Sequence, residues 1–144
     1  MADDRATGRV RRADLTEAEY RVLARFRFAL RVFLRFSEDA AREAGVTPNQ
    51  HQLLLAIRGF PTGDPSVTDL AEWLQLKHHS TVELVDRAVD AGLISRHPDA
   101  DDRRRQRLVL TTRGAGVLAS LSDAHREELR RFRGEMSDLL DELD

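Results

Sequence analysis

Two short apolar-faced segments, a glycine stop and an arginine-rich hairpin follow one another between Ser66 and Gly114, and no other stretch restricts the fold so tightly. Ser66 offers a cap oxygen and Asp69 an acid three residues on, with Val67, Leu70, Ala71 and Leu74 at helical spacing behind them. After a short turn, Thr81, Leu84, Val85 and Ala88 form the apolar face of a second helix. Its other face carries His79, Ser80, Val82, Glu83, Asp86 and Arg87, and Gly92 suits the left-handed position just past its end. Beyond Gly92 the period changes. Leu93-Ile94 and Leu108-Val109-Leu110 read as short strands around a turn that holds Pro98, three acids, and then Arg103, Arg104, Arg105 and Arg107. Two packed helices and a hairpin predict a helix-turn-helix with a basic wing.

Four arginines on an exposed hairpin can enter a minor groove or grip phosphates. The plainer reading is a solvated turn in which they pair with Asp99, Asp101 and Asp102. Beside a helix-turn-helix the first reading prevails, and the expected partner is double-stranded DNA. The second helix then lies in the major groove, where residues near its start reach base edges. The candidates are His79, Ser80 and Arg87, with Thr81 behind them; an arginine suits guanine, and a serine suits a base edge or a phosphate. Ser80-Thr-Val-Glu83 also reads as a capping box, which would start that helix at Ser80. Arg103, Arg105 and Arg107 are expected to hold phosphate without reading sequence.

The same residues resemble a known family. Asp99-Ala-Asp-Asp-Arg-Arg104, followed by Leu108-Val-Leu-Thr111 and Gly114, is similar to the wing signature of the MarR (multiple antibiotic resistance regulator) family of winged-helix transcription factors. Leu84-Val-Asp-Arg87 and Ala91-Gly-Leu-Ile94 resemble that family's recognition helix and its exit. The resemblance implies a recognition helix that begins near Lys77, earlier than Ser80. It implies that Asp86 pairs with a wing arginine, and that Asp102 and Arg104 form an Asp-x-Arg element, with Asp102 orienting Arg104 in the minor groove. It also implies a small effector, aromatic or anionic, held between the dimerisation and DNA-binding parts.

The flanks explain why such a lobe would not stand alone. Thr16 caps a helix predicted to reach Ala44, with one stripe of Leu23, Phe26, Leu30, Phe33 and Ala40 and another of Phe28, Val32 and Phe36. A helix apolar on two faces needs cover on two sides, which predicts a second copy of the chain. Thr47-Pro48-Asn-Gln50 opens the next helix, which ends near Gly59. Leu118, Leu121, His125, Phe132, Met136, Leu139 and Leu143 line a last helix capped by Thr111 or Thr112, expected to break at Gly134. The predicted fold is therefore mainly α with a small β-hairpin wing. Residues 1–14 form an arm, 15–44 and 112–144 are dimerisation helices, and 47–111 are the DNA-binding lobe. A homodimer presenting two lobes fits a repressor on a pseudo-palindromic operator, released when an effector changes the spacing of the lobes.

A net charge of −2 is unusual for a DNA binder, but the charge is unevenly spread. Residues 1–36 hold nine arginines against five acids, and residues 135–144 hold five acids and no base. The chain has no cysteine, which excludes thiol redox sensing and cysteine zinc sites. His78 and His79 are adjacent rather than four apart, and His51, His97 and His125 are scattered, so neither metal nor cofactor is expected. Trp73 reads as packing. No apolar run approaches a membrane span and the start lacks a leader core, so the expected location is cytoplasmic. A phosphate loop and a nucleophile pattern are absent, which argues against an enzyme. The competing reading is a winged helix used for protein contact, without effector or specific operator.

Overall fold

The computed structural model describes residues 14–143. All of the expected arm except Asp14 lies outside the described residues. The elements are α1 (Glu17–Glu43), α2 (Pro48–Arg58), α3 (Val67–Leu74), α4 (His78–Asp90), β1 (Ile94–Pro98), β2 (Gln106–Leu110) and α5 (Thr112–Asp141). Three helix starts are reciprocal capping boxes: Thr16 with Glu19, Thr47 with Gln50, and Ser66 with Asp69. In each, the cap oxygen accepts from the third N–H, while the third side chain accepts from the cap N–H.

α2 is the centre of the lobe. Its Leu53 and Leu54 are fully buried, and Leu70, Val85, Ala88, Leu93, Ile94 and Leu108 close around them from α3, α4 and the sheet. The sheet is a two-stranded antiparallel hairpin with Ile94 opposite Leu110 and Pro98 opposite Gln106. Leu108 N–H donates to the Pro65 carbonyl at 2.9 Å, which moors β2 to the chain just before α3. The fold is mainly helical with a small wing.

The two apolar stripes of α1 divide differently from the sequence reading. Val22, Ala29, Phe33, Phe36 and Ala40 turn inward; Phe33 meets Phe132 of α5 at 5.3 Å between ring centroids. Leu23, Phe26 and Phe28 remain exposed, Phe28 at 67%. Arg25 adds a two-pronged ion pair to Glu142, at 2.8 and 3.1 Å, near the end of α5.

The expected break at Gly134 does not occur: α5 is one helix of 30 residues. A glycine inside a helix costs roughly 1 kcal/mol relative to alanine. That is too little to end a helix whose other turns are held by Leu118, Leu121, Phe132 and Leu139 against the rest of the chain.

Candidate nucleic-acid interface

α4 begins at His78, after an extended Lys77 whose side chain makes no cap bond. The start at Ser80 is thereby corrected. α3 ends on Gln75 in the left-handed region (φ 55°), and Leu76 N–H folds back to the Ala71 carbonyl at 2.9 Å. The extended Lys77 then leads directly into the helix, so Ser80 falls inside its first turn. Without a side-chain cap, the first N–H groups of α4 have no such acceptor among the described residues, and an anion can take them.

The face of α4 is set by Thr81, Val85 and Ala88, all at 0% exposure. Thr81 donates its hydroxyl to the Lys77 carbonyl at 3.0 Å. It is therefore turned into the core and cannot reach a base edge, because its side chain lies on the same stripe as Val85 and Ala88. His79 and Arg87 are exposed and Ser80 half-buried. Ser80, Glu83 and Arg87 border a groove shared with Thr47–Gln50 of α2. His78, which the sequence reading did not single out for base contact, borders the opposite groove with Ser66, Thr68 and the wing tip.

The acids of the wing are turn builders. Asp99 Oδ1 accepts from Asp101 N–H, and Asp102 Oδ1 from Arg104 N–H, both at 2.9 Å. The Asp101 N–H and then the Arg107 guanidinium hold the Asp99 carboxyl below the usual carboxylate range. Asp102 therefore fixes the backbone of Arg104 rather than its guanidinium.

The wing arginines divide into two pairs. Arg107 bonds Asp99 at 3.3 Å, and Arg105 bonds Asp69 at 2.6 Å and the Ser66 hydroxyl at 3.1 Å. Partial burial alone would raise the Asp69 carboxyl, but the bonds from Ser66 and Arg105 outweigh it and keep it below its ordinary value. Among the described residues, no carboxylate lies within ion-pair reach of Arg103 or Arg104, and both are exposed at the tip. Asp86 has an arginine partner in the hairpin, but it is Arg96 of β1 rather than one of the four tip residues. The expected pairing of Asp86 with a wing arginine is thus present, and only its partner differs from the arginines singled out in the sequence, because a contact between a helix and the strand after the next turn leaves no local pattern. Trp73 packs edge-on against Phe60 at 5.5 Å and stays 54% exposed, so it is only partly the packing residue expected.

Arg103, Arg104, His78 and the uncapped start of α4 thus lie on the side of the lobe where wing and helix meet. The arrangement can bind a polyanion through the wing and offer side chains from α4 alongside it.

A family model described as MarR family matches residues 44–105. A Thauera aromatica protein, whose name assigns it to transcriptional regulation of the hcr operon, is 30% identical over 106 residues, or 74% of this chain. The chain spans 63% of the length of that relative. Among solved structures, AbsC, a MarR family transcriptional regulator from Streptomyces coelicolor, is similar at a TM-score of 0.73 and 21% identity, over 89% of this chain and 88% of AbsC. A DNA complex of S. aureus MepR is similar at a TM-score of 0.60 and 22% identity, over 83% of this chain and 98% of that one.

Proposed function

We propose that the chain is a transcription regulator of the MarR family, as the match over residues 44–105 and the likeness to the Thauera aromatica protein support, and that it binds double-stranded DNA sequence-specifically, as a homodimer. The observation that carries this reading is the pair of cations at the wing tip. Arg103 and Arg104 have no carboxylate partner among the described residues and project beside the exposed start of α4. Arg104 is the minor-groove residue, Arg103 and the uncapped turn of α4 take phosphate, and His79, Ser80 and Arg87 are the side chains offered to the major groove. The fold shared with MepR, a protein solved on DNA, supports the same docking.

The dimer is supported by what one copy leaves uncovered. Tyr20, Phe28, Leu129 and Leu140 are each more than half exposed on the two long helices, apolar side chains that a second copy of the chain would cover. Two lobes on such a seam suit a pseudo-palindromic operator, and repression with release by a small aromatic or anionic effector completes the reading. No helix among the described residues is long and apolar enough to cross a membrane.

The test is binding of the purified protein to its own upstream DNA, and to scrambled DNA, across a salt series. The expected result is preference for the first and a steep fall of affinity with salt. Arg104→Ala should cost about tenfold or more in affinity, in line with the roughly 1–3 kcal/mol of a lost groove contact. Equal, weak binding to both DNAs would leave the protein-contact module as the better reading.

A further inference from the structure

The geometry points to Arg105 as a positioning residue: bound by Asp69 and Ser66, it sets the wing against α3 and leaves phosphate to its neighbours. The inference rests on the DNA-binding reading above and specifies how the wing of that site is held.

Each side of the hairpin is tied to a different helix of the helix-turn-helix. The turn residue that leads into β2 is tied to α3 by Arg105–Asp69, and β1 to α4 by Arg96–Asp86. The Arg105 tie is the more constrained. Arg105 meets two acceptors, and both are already fixed by the α3 capping box. Ser66 is 5% exposed, and the Asp69 side chain is less exposed than the guanidinium it holds. Three residues after Arg105, within β2, the Leu108–Pro65 bond makes a second mooring to the same corner. Between them these two points fix the direction in which the tip leaves the lobe.

A partly exposed ion pair adds little to stability, so its consequence is orientation. Arg104 must arrive in a groove only a few ångströms wide, and a wing free to swing would spend most of its time elsewhere. A guanidinium already neutralised by a carboxylate also displaces few counterions from DNA. Arg105 therefore differs from Arg103 and Arg104 in what it does to the salt dependence, not only to the affinity.

Two variants separate a latch from a phosphate grip by sign. Asp69→Asn keeps an acceptor for the Ser66 N–H but removes the charge that holds Arg105. Deleting an acid next to bound DNA should tighten binding if Arg105 grips phosphate; it should weaken binding if Asp69 positions the wing. The expected result, on the protein's own upstream DNA, is a loss of about threefold to tenfold for Asp69→Asn and for Arg105→Ala. The double variant should be no worse than either single one. The slope of log affinity against log salt should match the wild type in all three, while Arg104→Ala lowers it by about one.

Arg105→Ala leaves the Ser66–Asp69 box intact, so its effect does not depend on the fold of α3; thermal midpoints check Asp69→Asn. A slope reduced by about one in Arg105→Ala, with Asp69→Asn neutral or tighter, would overturn the latch, as would additive losses in the double variant. Absence of any preference by the wild type for its own DNA would instead sink the regulator reading, and the two failures are distinct.

Discussion

Gly114→Ala should destabilise the chain by about 3 kcal/mol, whereas Gly116→Ala, two residues further along the same helix, should be neutral or stabilise it by up to about 1 kcal/mol. A Cβ on Gly114 would stand 2.0 Å from the Leu93 carbonyl oxygen and 3.0 Å from its carbon. Both are backbone, so no rotamer change can relieve the clash. The neighbourhood cannot give way cheaply, because Leu93 O accepts from Thr111 N–H at 3.0 Å and Gly92 O accepts from the Thr111 hydroxyl at 2.6 Å. Thr111 Oγ1 in turn caps the Gly114 N–H at 3.0 Å. Shifting α5 outward breaks this joint, through which the exit of α4 is fixed to the start of the long helix. A Cβ on Gly116 meets nothing within 4 Å, so alanine there gains helix propensity alone. Thermal or urea unfolding of the two variants measures the difference; equal, small effects would show that the joint yields more readily than its geometry suggests.

That joint illustrates which parts of the molecule could be read from the chain. Caps were legible because their chemistry is local: Thr16, Thr47 and Ser66 each precede their partner by three residues, and the backbone places the two side by side. Gly92 was legible for the same reason, lying at positive φ past the end of α4. Gly114 was visible as part of a pattern, but its cause, Leu93, sits on the far side of the wing. Ser80 failed by the opposite route. Its spacing to Glu83 makes a sound local box, yet the left-handed Gln75 upstream had already decided where α4 begins. Thr81 lay on the apolar face by periodicity and near the helix start by sequence. Periodicity prevailed, because a residue between Val85 and the core has nowhere else to go. In the wing, composition revealed a cluster of cations but not which of them acids within the chain already occupy. Asp69 lies a whole helix-turn-helix away from Arg105, and only the folded hairpin brings them together.

Acid should loosen the molecule in a window set by His51. This residue of α2 is 3% exposed, and its Nδ1 has no hydrogen-bond partner among the described residues. Its ring lies 4.7 Å from that of His125 in α5. His125 bonds the Leu121 carbonyl and the buried Ser37 hydroxyl of α1, each at 2.8 Å, so the three side chains sit where the long helices meet the lobe. Burial, and then the neighbouring His125, hold the His51 pKa below its ordinary 6.5. Above about pH 6.5 the ring is neutral in both folded and unfolded chains, and the group leaves stability unaffected by pH. As the pH falls below that value the unfolded chain takes up a proton that the folded one excludes. Stability then declines by up to about 1.4 kcal/mol per pH unit, until the depressed folded value is passed. The carboxyls of Asp69 and Asp99, also held low, lose their contribution only in the more acid range below their ordinary 3.8, so the two windows separate. Unfolding measured from pH 7 to 5 should therefore show a one-proton slope in the wild type and a much flatter one in His51→Leu. The variant should also hold its stability at neutral pH, since leucine removes a buried nitrogen whose lack of a partner costs roughly 1–3 kcal/mol. A slope that survives the substitution unchanged would place the titrating group elsewhere.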